Sequence, residues 1–221
     1  MEKLVIYGNG RIAKIIYQFL KKQFDVVGFT VDKEFIETED VEGLPLIAFD
    51  DSEKTFTPED HRMLIAVGYV SMNKIRRQKY LEGKAKGYKF INYIHPSVDL
   101  HDNIRIGENN IILDHVSIQP YVDVGNSNFI WSNAVIAHGS KLMDANWITS
   151  GVVVSGDAVI KSECFLGVNC SIGHNVTIED GNFIGANSLV TKSTMSNEVF
   201  VSRDSEKMRL DSKRFLQFSG V

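Results

Sequence analysis

An aliphatic residue recurs at every sixth position through the second half of the chain. The series begins at Ile94, ends at Val190 and is broken at Ser196. A helix repeats every 3.6 residues and an ordinary strand every two, so neither produces a strict period of six. The series is Ile94, Leu100, Ile106, Ile112, Ile118, Val124, Ile130, Ile136, Leu142, Ile148, Val154, Ile160, Leu166, Ile172, Ile178, Ile184 and Val190.

The other positions of the repeat indicate the shape of the fold. The residue after the aliphatic one is often small, and the fourth residue after it is mostly small or short. One large and one small inward residue per repeat suits a narrow triangular prism, in which three repeats make one coil. Coils then stack at about 4.8 Å, the ordinary strand spacing. We predict a left-handed parallel β-helix over residues 94–195, followed by a tail over 196–221. No loop interrupts the repeat, so we expect any site to lie on the outer faces, between subunits or in the preceding domain.

Composition limits the functional classes only weakly. The 221 residues include 43% hydrophobic and 24% charged residues, with a formal net charge of -4. This slightly acidic balance gives no electrostatic reason to expect nucleic acid or a membrane surface as a partner. Apolar stretches are far shorter than the ~20 residues that span a bilayer. The two cysteines, Cys164 and Cys170, occupy equivalent inward positions and are interpreted as core residues. Without a signal peptide or a disulfide framework, we expect a cytoplasmic protein.

The first 93 residues show a strand–turn–helix pattern. A buried strand over 4–8 runs into the sequence Gly8-Asn9-Gly10-Arg11-Ile12-Ala13, which opens an amphipathic helix to about Lys22. A second strand over 25–31 ends at Asp32, and a third strand over 63–68 precedes a helix over 71–86. Such a G-x-G-x-x-A turn directs backbone N–H groups at a helix start towards an anion, as in Rossmann-type domains.

The motif also fits a tight turn that binds no ligand. About ninety residues are few for the six strands of a doubly wound dinucleotide-binding domain. We therefore expect a small Rossmann-like domain over residues 1–93 that binds a mononucleotide, such as the nucleoside diphosphate of an activated sugar. The candidate binding residues are Gly8, Asn9, Gly10, Arg11 and Asp32.

This architecture, α/β followed by all-β, resembles the bacterial sugar acyltransferases of the sialic acid O-acetyltransferase type. That family includes N-acetyltransferases for UDP- and GDP-linked 4-amino sugars. The resemblance covers nearly the whole chain and includes the segments NAVIAH at 133–138, CFLGVN at 164–169 and FIGAN at 183–187. It implies a homotrimer with acetyl-CoA bound between adjacent prisms. It also implies that the amino-terminal domain holds a nucleotide-linked amino sugar.

The resemblance also implies roles for individual residues. His138 is the expected general base, and the expected acyl-CoA contacts are Gly156, Gly167, Val168, His174, Gly185 and Ala186. A glycine at 156 would leave a slot for the pantetheine arm. The chain departs from the family pattern in having Gly139 where an acidic residue usually follows the histidine, which makes Asp144 a candidate for orienting His138. A second departure is the segment 201–205 after the last coil.

Acyl transfer from a thioester to an amine needs a base, a donor for the oxyanion and correct positioning. Free imidazole titrates near neutral pH, which suits the base role, although an exposed corner histidine with no task is the alternative. His174 lies two coils from His138, about 9.6 Å away by coil stacking. A zinc site of the hexapeptide carbonic anhydrase kind would need a further histidine where Glu179 stands, so we expect no metal.

Three functions remain open from the sequence. The first is N-acetylation of a nucleotide-linked amino sugar, of the UDP-, dTDP- or GDP-linked 4-amino-4,6-dideoxy type, for bacterial surface glycan synthesis. The others are O-acetylation of a sugar or sialic acid and non-catalytic nucleotide-sugar binding by a trimer. The sequence does not select the sugar, the nucleotide, the acylated position or the length of the acyl group. Trp131 and Trp147 occupy outward or corner positions, which predicts subunit contact or stacking on a ligand.

Overall fold

The computed structural model describes residues 2–219, and a mixed α/β unit forms the first part of it. Its elements are β1 (Lys3–Tyr7), α1 (Arg11–Leu20), β2 (Asp25–Val31), β3 (Asp40–Val41), β4 (Leu44–Ala48), α2 (Ser52–Thr55), β5 (His61–Ile65), α3 (Lys74–Ala85) and β6 (Lys89–Phe90), with 3-10 turns at Lys33–Phe35 and Phe49–Asp51. The sheet order is β3-β4-β2-β1-β5-β6. Only the β3–β4 pair is antiparallel among its described strands.

The amino-terminal sheet is buried on both faces, as parallel strands flanked by helices are. Leu4 and Ile6 are fully buried in one core with Ala13 and Ile16 of α1, and Val5 is fully buried in a second core. The third strand lies at His61–Ile65 rather than 63–68, and the following helix begins at Lys74 rather than 71. The helix starts late because residues 71–73 all have positive φ, which an α-helix cannot contain.

A three-sided prism of two-residue strands forms the second part. Face A contains β10 (Ser117–Ile118), β13 (Val135–Ile136), β16 (Val153–Val154), β19 (Ser171–Ile172) and β22 (Leu189–Val190). Face B contains β8 (Arg105–Ile106), β11 (Asp123–Val124), β14 (Lys141–Leu142), β17 (Val159–Ile160) and β20 (Thr177–Ile178). Face C contains β7 (Tyr93–Ile94), β9 (Ile111–Ile112), β12 (Phe129–Ile130), β15 (Trp147–Ile148), β18 (Phe165–Leu166), β21 (Phe183–Ile184) and β23 (Val199–Phe200).

The strand register confirms the six-residue repeat. Neighbouring strands pair in parallel eighteen residues apart, as in Ser117 with Val135 and Phe129 with Trp147. The aliphatic series fills the interior, where most of its members are no more than 4% exposed. The predicted fold class, a small Rossmann-like domain followed by a hexapeptide β-helix, is confirmed.

The two ends of the prism differ from a strict repeat. Leu100 is 38% exposed and lies in no strand, so the expectation that it points inward is wrong. The first coil instead closes through local turns, in which Val98 N–H donates to the His95 carbonyl and Ile104 N–H to that of His101. At the other end, β23 pairs with β21 at a sixteen-residue interval. The face C sheet therefore extends past residue 195, and α4 (Ser212–Ser219) follows.

The amino-terminal domain is seated on face C, whose outer side chains are mostly aromatic. Phe129 and Trp147 belong to the same buried cluster as the core of the amino-terminal sheet. The Tyr69 ring lies 5.4 Å from that of Trp147 and 4.8 Å from that of Phe165. Trp147 is only 3% exposed, and the Trp131 ring stacks on Phe129 at 5.0 Å. Trp147 therefore serves the contact between domains within one chain, which corrects the expectation of subunit contact or ligand stacking for this residue. Trp131 is partly buried against the same cluster, and its contact with a subunit or ligand stays a prediction.

Polar contacts from the α3 region stabilise the interface between the amino-terminal domain and face C. The buried Arg76 donates from Nε to the Ser127 carbonyl and from Nη2 to the Asn146 carbonyl, both at 2.9 Å. Its guanidinium carbon lies 5.4 Å from the Trp147 ring centroid, and burial lowers the pKa of Arg76 to about 9. Asn73 Nδ2 donates to the Cys164 carbonyl at 3.0 Å. These bonds join α3 to three successive coils. No helix between residues 2 and 219 is long and apolar enough to cross a membrane.

Candidate functional site

A cavity of about 620 Å³ opens at the carboxyl ends of β1, β2 and β5. All five residues that the sequence assigned to nucleotide binding line it, namely Gly8, Asn9, Gly10, Arg11 and Asp32. The remaining lining residues are largely apolar, among them Ile12, Val31, Phe35, Val67, Val70 and Ile75. The structure therefore brings the whole amino-terminal set of candidates together around one space.

Local backbone geometry makes this cavity suitable for an anion. Gly8 has a φ of 125°, and a Cβ there would lie 2.9 Å from the Ala66 carbonyl oxygen, so only glycine fits. Gly10 precedes α1, and Lys14 N–H donates back to its carbonyl. The N–H groups of Arg11, Ile12 and Ala13 therefore have no partner within the helix. With no acidic residue in the first turn, the helix presents partial positive charge to the cavity.

Asp32 lies at the rim of the cavity in an ion-pair network. Its Oδ1 is 2.8 Å from Lys79 Nζ, which also lies 2.7 Å from Glu82 Oε2. Burial, with the added effect of the Asp32 carboxylate, raises the pKa of Tyr7 well above its usual range. Asn9 Nδ2 donates to the Phe35 carbonyl at 2.7 Å and so holds the loop after β2. A contact between Asp32 and the ribose or base of a nucleotide stays a prediction.

His138 lies on the A–B edge, the prism corner between faces A and B. The residues of this edge are 119–122, 137–140, 155–158 and 173–176. The His138 side chain is exposed, and Gln119 Oε1 lies 3.0 Å from its backbone nitrogen and 3.3 Å from its Nδ1. Gln119 comes from the preceding coil, nineteen residues earlier. The sequence interpretation did not identify this partner.

The His138 ring lies directly over Gly156 of the next coil. A Cβ at Gly156 would be 2.7 Å from His138 Nε2 and 2.8 Å from Cε1. The space that a side chain would take is thus filled by the imidazole, which corrects the expectation of an open slot for the pantetheine arm. Beside it, the Asp157 carboxylate occupies the place of a side chain at Gly139. His174 Nδ1 lies 3.9 Å from Asp157 Oδ2.

The other expected acyl-CoA residues lie on a different edge. Gly167, Val168, Gly185 and Ala186 belong to the A–C edge, the corner between faces C and A, whereas Gly156 and His174 belong to the A–B edge. One chain therefore holds these six residues on opposite borders of face A. A cavity of about 580 Å³ adjoins Gly185 and Ala186, and residues 201–205 form its other wall. The segment that departs from the family pattern thus meets two expected CoA contacts.

Asp144 does not orient His138 within this chain. It lies on the B–C edge, where its Oδ1 accepts from the backbone nitrogen of Asn126 at 2.7 Å and from Asn126 Nδ2 at 3.2 Å. In the described chain, no hydrogen bond or ion pair joins its carboxylate to His138. The side-chain contact to the His138 ring that we expected from Asp144 is made by Gln119. Across residues 2–219, no three His, Cys, Asp or Glu side chains are grouped as metal ligands would be.

Both parts of the chain match known sequence families. Residues 3–82 match the PglD N-terminal domain, and residues 157–192 match the bacterial transferase hexapeptide family of six repeats. The amino-terminal domain is thus similar to the PglD N-terminal domain, and we call it the PglD-type domain; the prism contains repeats similar to those of hexapeptide transferases. The resemblance to the sugar acyltransferases of this architecture is thereby confirmed.

Solved structures share this two-part fold. A histidine-to-asparagine variant of perosamine N-acetyltransferase from Caulobacter crescentus, in complex with CoA and GDP-perosamine, is 23% identical with a TM-score of 0.81, and the match covers 89% of this chain and 92% of that chain. The acetyltransferase domain of PglB from Neisseria gonorrhoeae is 21% identical with a TM-score of 0.78, over 90% of this chain and 96% of that one. That domain is also known in complex with acetyl coenzyme A, with a TM-score of 0.76, 21% identity and coverages of 89% and 93%.

Proposed function

We propose that this chain is an acetyl-CoA-dependent N-acetyltransferase that acts on the amino group of a nucleotide-linked amino sugar. One observation carries the proposal: a PglD-type domain with an anion-suited cavity is joined to a hexapeptide helix with an exposed imidazole on its edge. The cavity takes the nucleoside diphosphate, and the imidazole takes the proton of the amine. The free, buried thiols of Cys164 and Cys170 fit a reducing cytoplasm.

The position of the two sites supports a homotrimer. The PglD-type domain covers face C, whereas His138 lies on the A–B edge, the corner opposite face C. This separation supports a site in which the cavity of one chain meets the imidazole of a neighbouring copy. Face A has an uncharged outer surface of Ser117, Val135, Val153, Ser171 and Leu189, with Leu189 70% exposed. Packing of neighbouring prisms beside this face would also bring together the two edges that carry the acyl-CoA residues.

The reaction requires little covalent participation by the protein. The amine nitrogen attacks the thioester carbonyl carbon, the C–N bond forms, and the C–S bond breaks as the tetrahedral intermediate collapses. His138 Nε2 accepts the proton that the amine loses, and CoA leaves as a thiolate that takes up a proton. The main tasks of the protein are to align the amine with the thioester and to hold the base within reach.

The substrate class is tested by CoA release from acetyl-CoA, measured with a thiol reagent. Each nucleotide-linked 4-amino sugar should be paired with its 4-hydroxy counterpart, so that only the nucleophile differs. We expect release with an amino sugar and none above background with the hydroxy sugar. Release only with hydroxyl acceptors would establish the O-acetyltransferase alternative. Tight binding of the nucleotide sugar without release from any acceptor would establish the non-catalytic alternative.

His138→Ala tests the assigned base. The kcat should fall by roughly 10²–10⁴, the usual contribution of a general base. The KM for acetyl-CoA should change little, and the protein should remain folded because the side chain is exposed on an edge. Wild-type kcat in this variant would show that the amine needs no protein base. Light scattering at micromolar concentration should give the mass of three chains, and a monomer that retains full activity would contradict the shared site.

A further inference from the structure

The contact between Gln119 and His138 determines which ring nitrogen carries hydrogen. The backbone nitrogen of His138 can only donate, and it lies 3.0 Å from a side-chain atom of Gln119. That atom must therefore be the amide oxygen, not the amide nitrogen. The same oxygen lies 3.3 Å from His138 Nδ1, and an oxygen acceptor attracts a protonated ring nitrogen. One oxygen thus receives both hydrogens.

This arrangement leaves the other ring nitrogen without its hydrogen. A neutral imidazole carries one hydrogen, so hydrogen at Nδ1 leaves a lone pair at Nε2. Nε2 lies over Gly156, where no side chain covers it from below. A ring with hydrogen at Nε2 could not accept a proton from an amine there. The tautomer therefore decides whether the exposed ring can act as the base.

We infer that Gln119 is a positioning residue that holds His138 in the tautomer with hydrogen at Nδ1, in place of the carboxylate that this edge lacks at Gly139. The inference rests on the proposed function for its catalytic meaning, whereas the tautomer itself is a property of the protein alone. Gln119 reaches the ring from the preceding coil, whereas residue 139 adjoins the histidine in the same coil. The orienting side chain thus stands nineteen residues before the histidine instead of directly after it.

An amide partner differs from a carboxylate in one chemical respect. A carboxylate would also stabilise the imidazolium by its charge, whereas the neutral amide fixes the tautomer without adding charge. Besides His138, the titratable groups on this edge are Tyr121, Asp157 and His174, and none of them is altered when Gln119 is changed. Variants at Gln119 therefore separate the effect of orientation from the effect of charge.

The tautomer is measured directly by magnetic resonance on protein labelled with ¹⁵N-histidine, with the His138 signals assigned from their loss in His138→Ala. Above pH 8, the wild type should show a protonated Nδ1 and an unprotonated Nε2. Gln119→Met, which has nearly the same length and no oxygen acceptor, should lose this preference, whereas Gln119→Glu should keep it. A wild-type ring with hydrogen at Nε2, or an unchanged tautomer in Gln119→Met, would overturn the inference whatever the activity.

Kinetics then test the consequence. We expect kcat to fall by about 5- to 10-fold in Gln119→Met, the effect of one lost hydrogen bond, with an unchanged KM for the nucleotide sugar. Gln119→Glu should restore kcat, but with the acidic limb of its pH profile moved upwards by about one unit. Asp180→Ala is the matched control, because it also removes an acceptor for a backbone N–H of the neighbouring coil, that of Ser162, on another edge. An equal loss of kcat in Asp180→Ala would show that Gln119 acts only through the structure of the prism.

Discussion

The contact of the His138 ring with Gly156 makes Gly156→Ala an informative substitution. The added Cβ would lie 2.7 Å from His138 Nε2, 2.8 Å from Cε1 and 3.2 Å from Cδ2. These three ring atoms are its nearest neighbours, and Gly156 does not have a positive φ. Alanine therefore fits the backbone of the prism, and the strain falls on a movable side chain.

The size of the displacement follows from the contact distance. Carbon and nitrogen atoms in contact prefer about 3.5 Å, so the ring must retreat by about 0.8 Å. A misplacement of about 1 Å at a reacting centre can lower a rate by roughly 10²-fold. We expect kcat to fall by about that factor, with the melting temperature close to that of the wild type. The KM for acetyl-CoA should not change if the space beside Gly156 is filled by the His138 ring and not by the pantetheine arm of CoA.

The assay compares the single variants with the double variant. In the His138→Ala background, Gly156→Ala should cost nothing further, because the ring through which it acts is gone. The reasoning is refuted if the second substitution lowers kcat equally in both backgrounds. An increase in the KM for acetyl-CoA with constant kcat would instead restore the pantetheine slot that the sequence suggested for Gly156.

Three further predictions concern other parts of the chain. Asp32→Ala should raise the KM for the nucleotide sugar and leave that for acetyl-CoA unchanged; equal increases would remove the PglD-type cavity from the substrate site. Burial acts to raise the pKa of Glu108, but a 2.6 Å hydrogen bond from Lys84 contributes to a net lowering of that pKa below the ordinary value of 4.5. The associated stabilisation is present above pH 4.5 and is lost as the pH falls through the lower folded value, so in urea unfolding Glu108→Gln should flatten the acid loss of stability. Burial raises the pKa of both Cys164 and Cys170 to about 12, so neither thiol should react with a thiol reagent at pH 8 until the protein unfolds; prompt reaction would contradict their burial.

The prism was predictable from sequence because its period is geometric. Each coil repeats the same three turns, so one aliphatic position per six residues specifies every strand from Ile106 to Val190. The prediction was wrong at Leu100, because the first coil has a neighbour on one side only and its local turns replace the strand. The G-x-G-x-x-A turn was also predictable from the sequence, because only glycine fits at position 8. The short antiparallel edge pair β3–β4 has no such periodic signal.

The parts of the site that the sequence missed depend on how the two domains meet. The six-residue repeat does not indicate which of the three faces the PglD-type domain covers, and Trp147 was therefore assigned to the wrong contact. Asp144 was chosen as a partner for His138 because it is near in sequence, although six residues along the chain lead to the next edge. The signal for Gln119 was available: one coil plus one residue before the base places a side chain directly above it.

The buried contact between the PglD-type domain and face C explains why the cavity and His138 lie on different sides of the prism. Arg76 donates hydrogen bonds to carbonyls of two successive coils, and these bonds fix the orientation of α3. Among residues 2–219, no carboxylate pairs with the Arg76 guanidinium to balance its charge. Removing this side chain would leave the Ser127 carbonyl without its hydrogen bond from Arg76 in an apolar interface, which costs about 1–3 kcal/mol. The Asn146 carbonyl would keep only the hydrogen bond from Phe129 N–H. A PglD-type domain held in this way cannot swing round the prism to the opposite edge. In the trimer that we propose, this fixed contact would present the cavity at a constant angle to a neighbouring copy, whose His138 edge would need no hinge motion to meet the substrate.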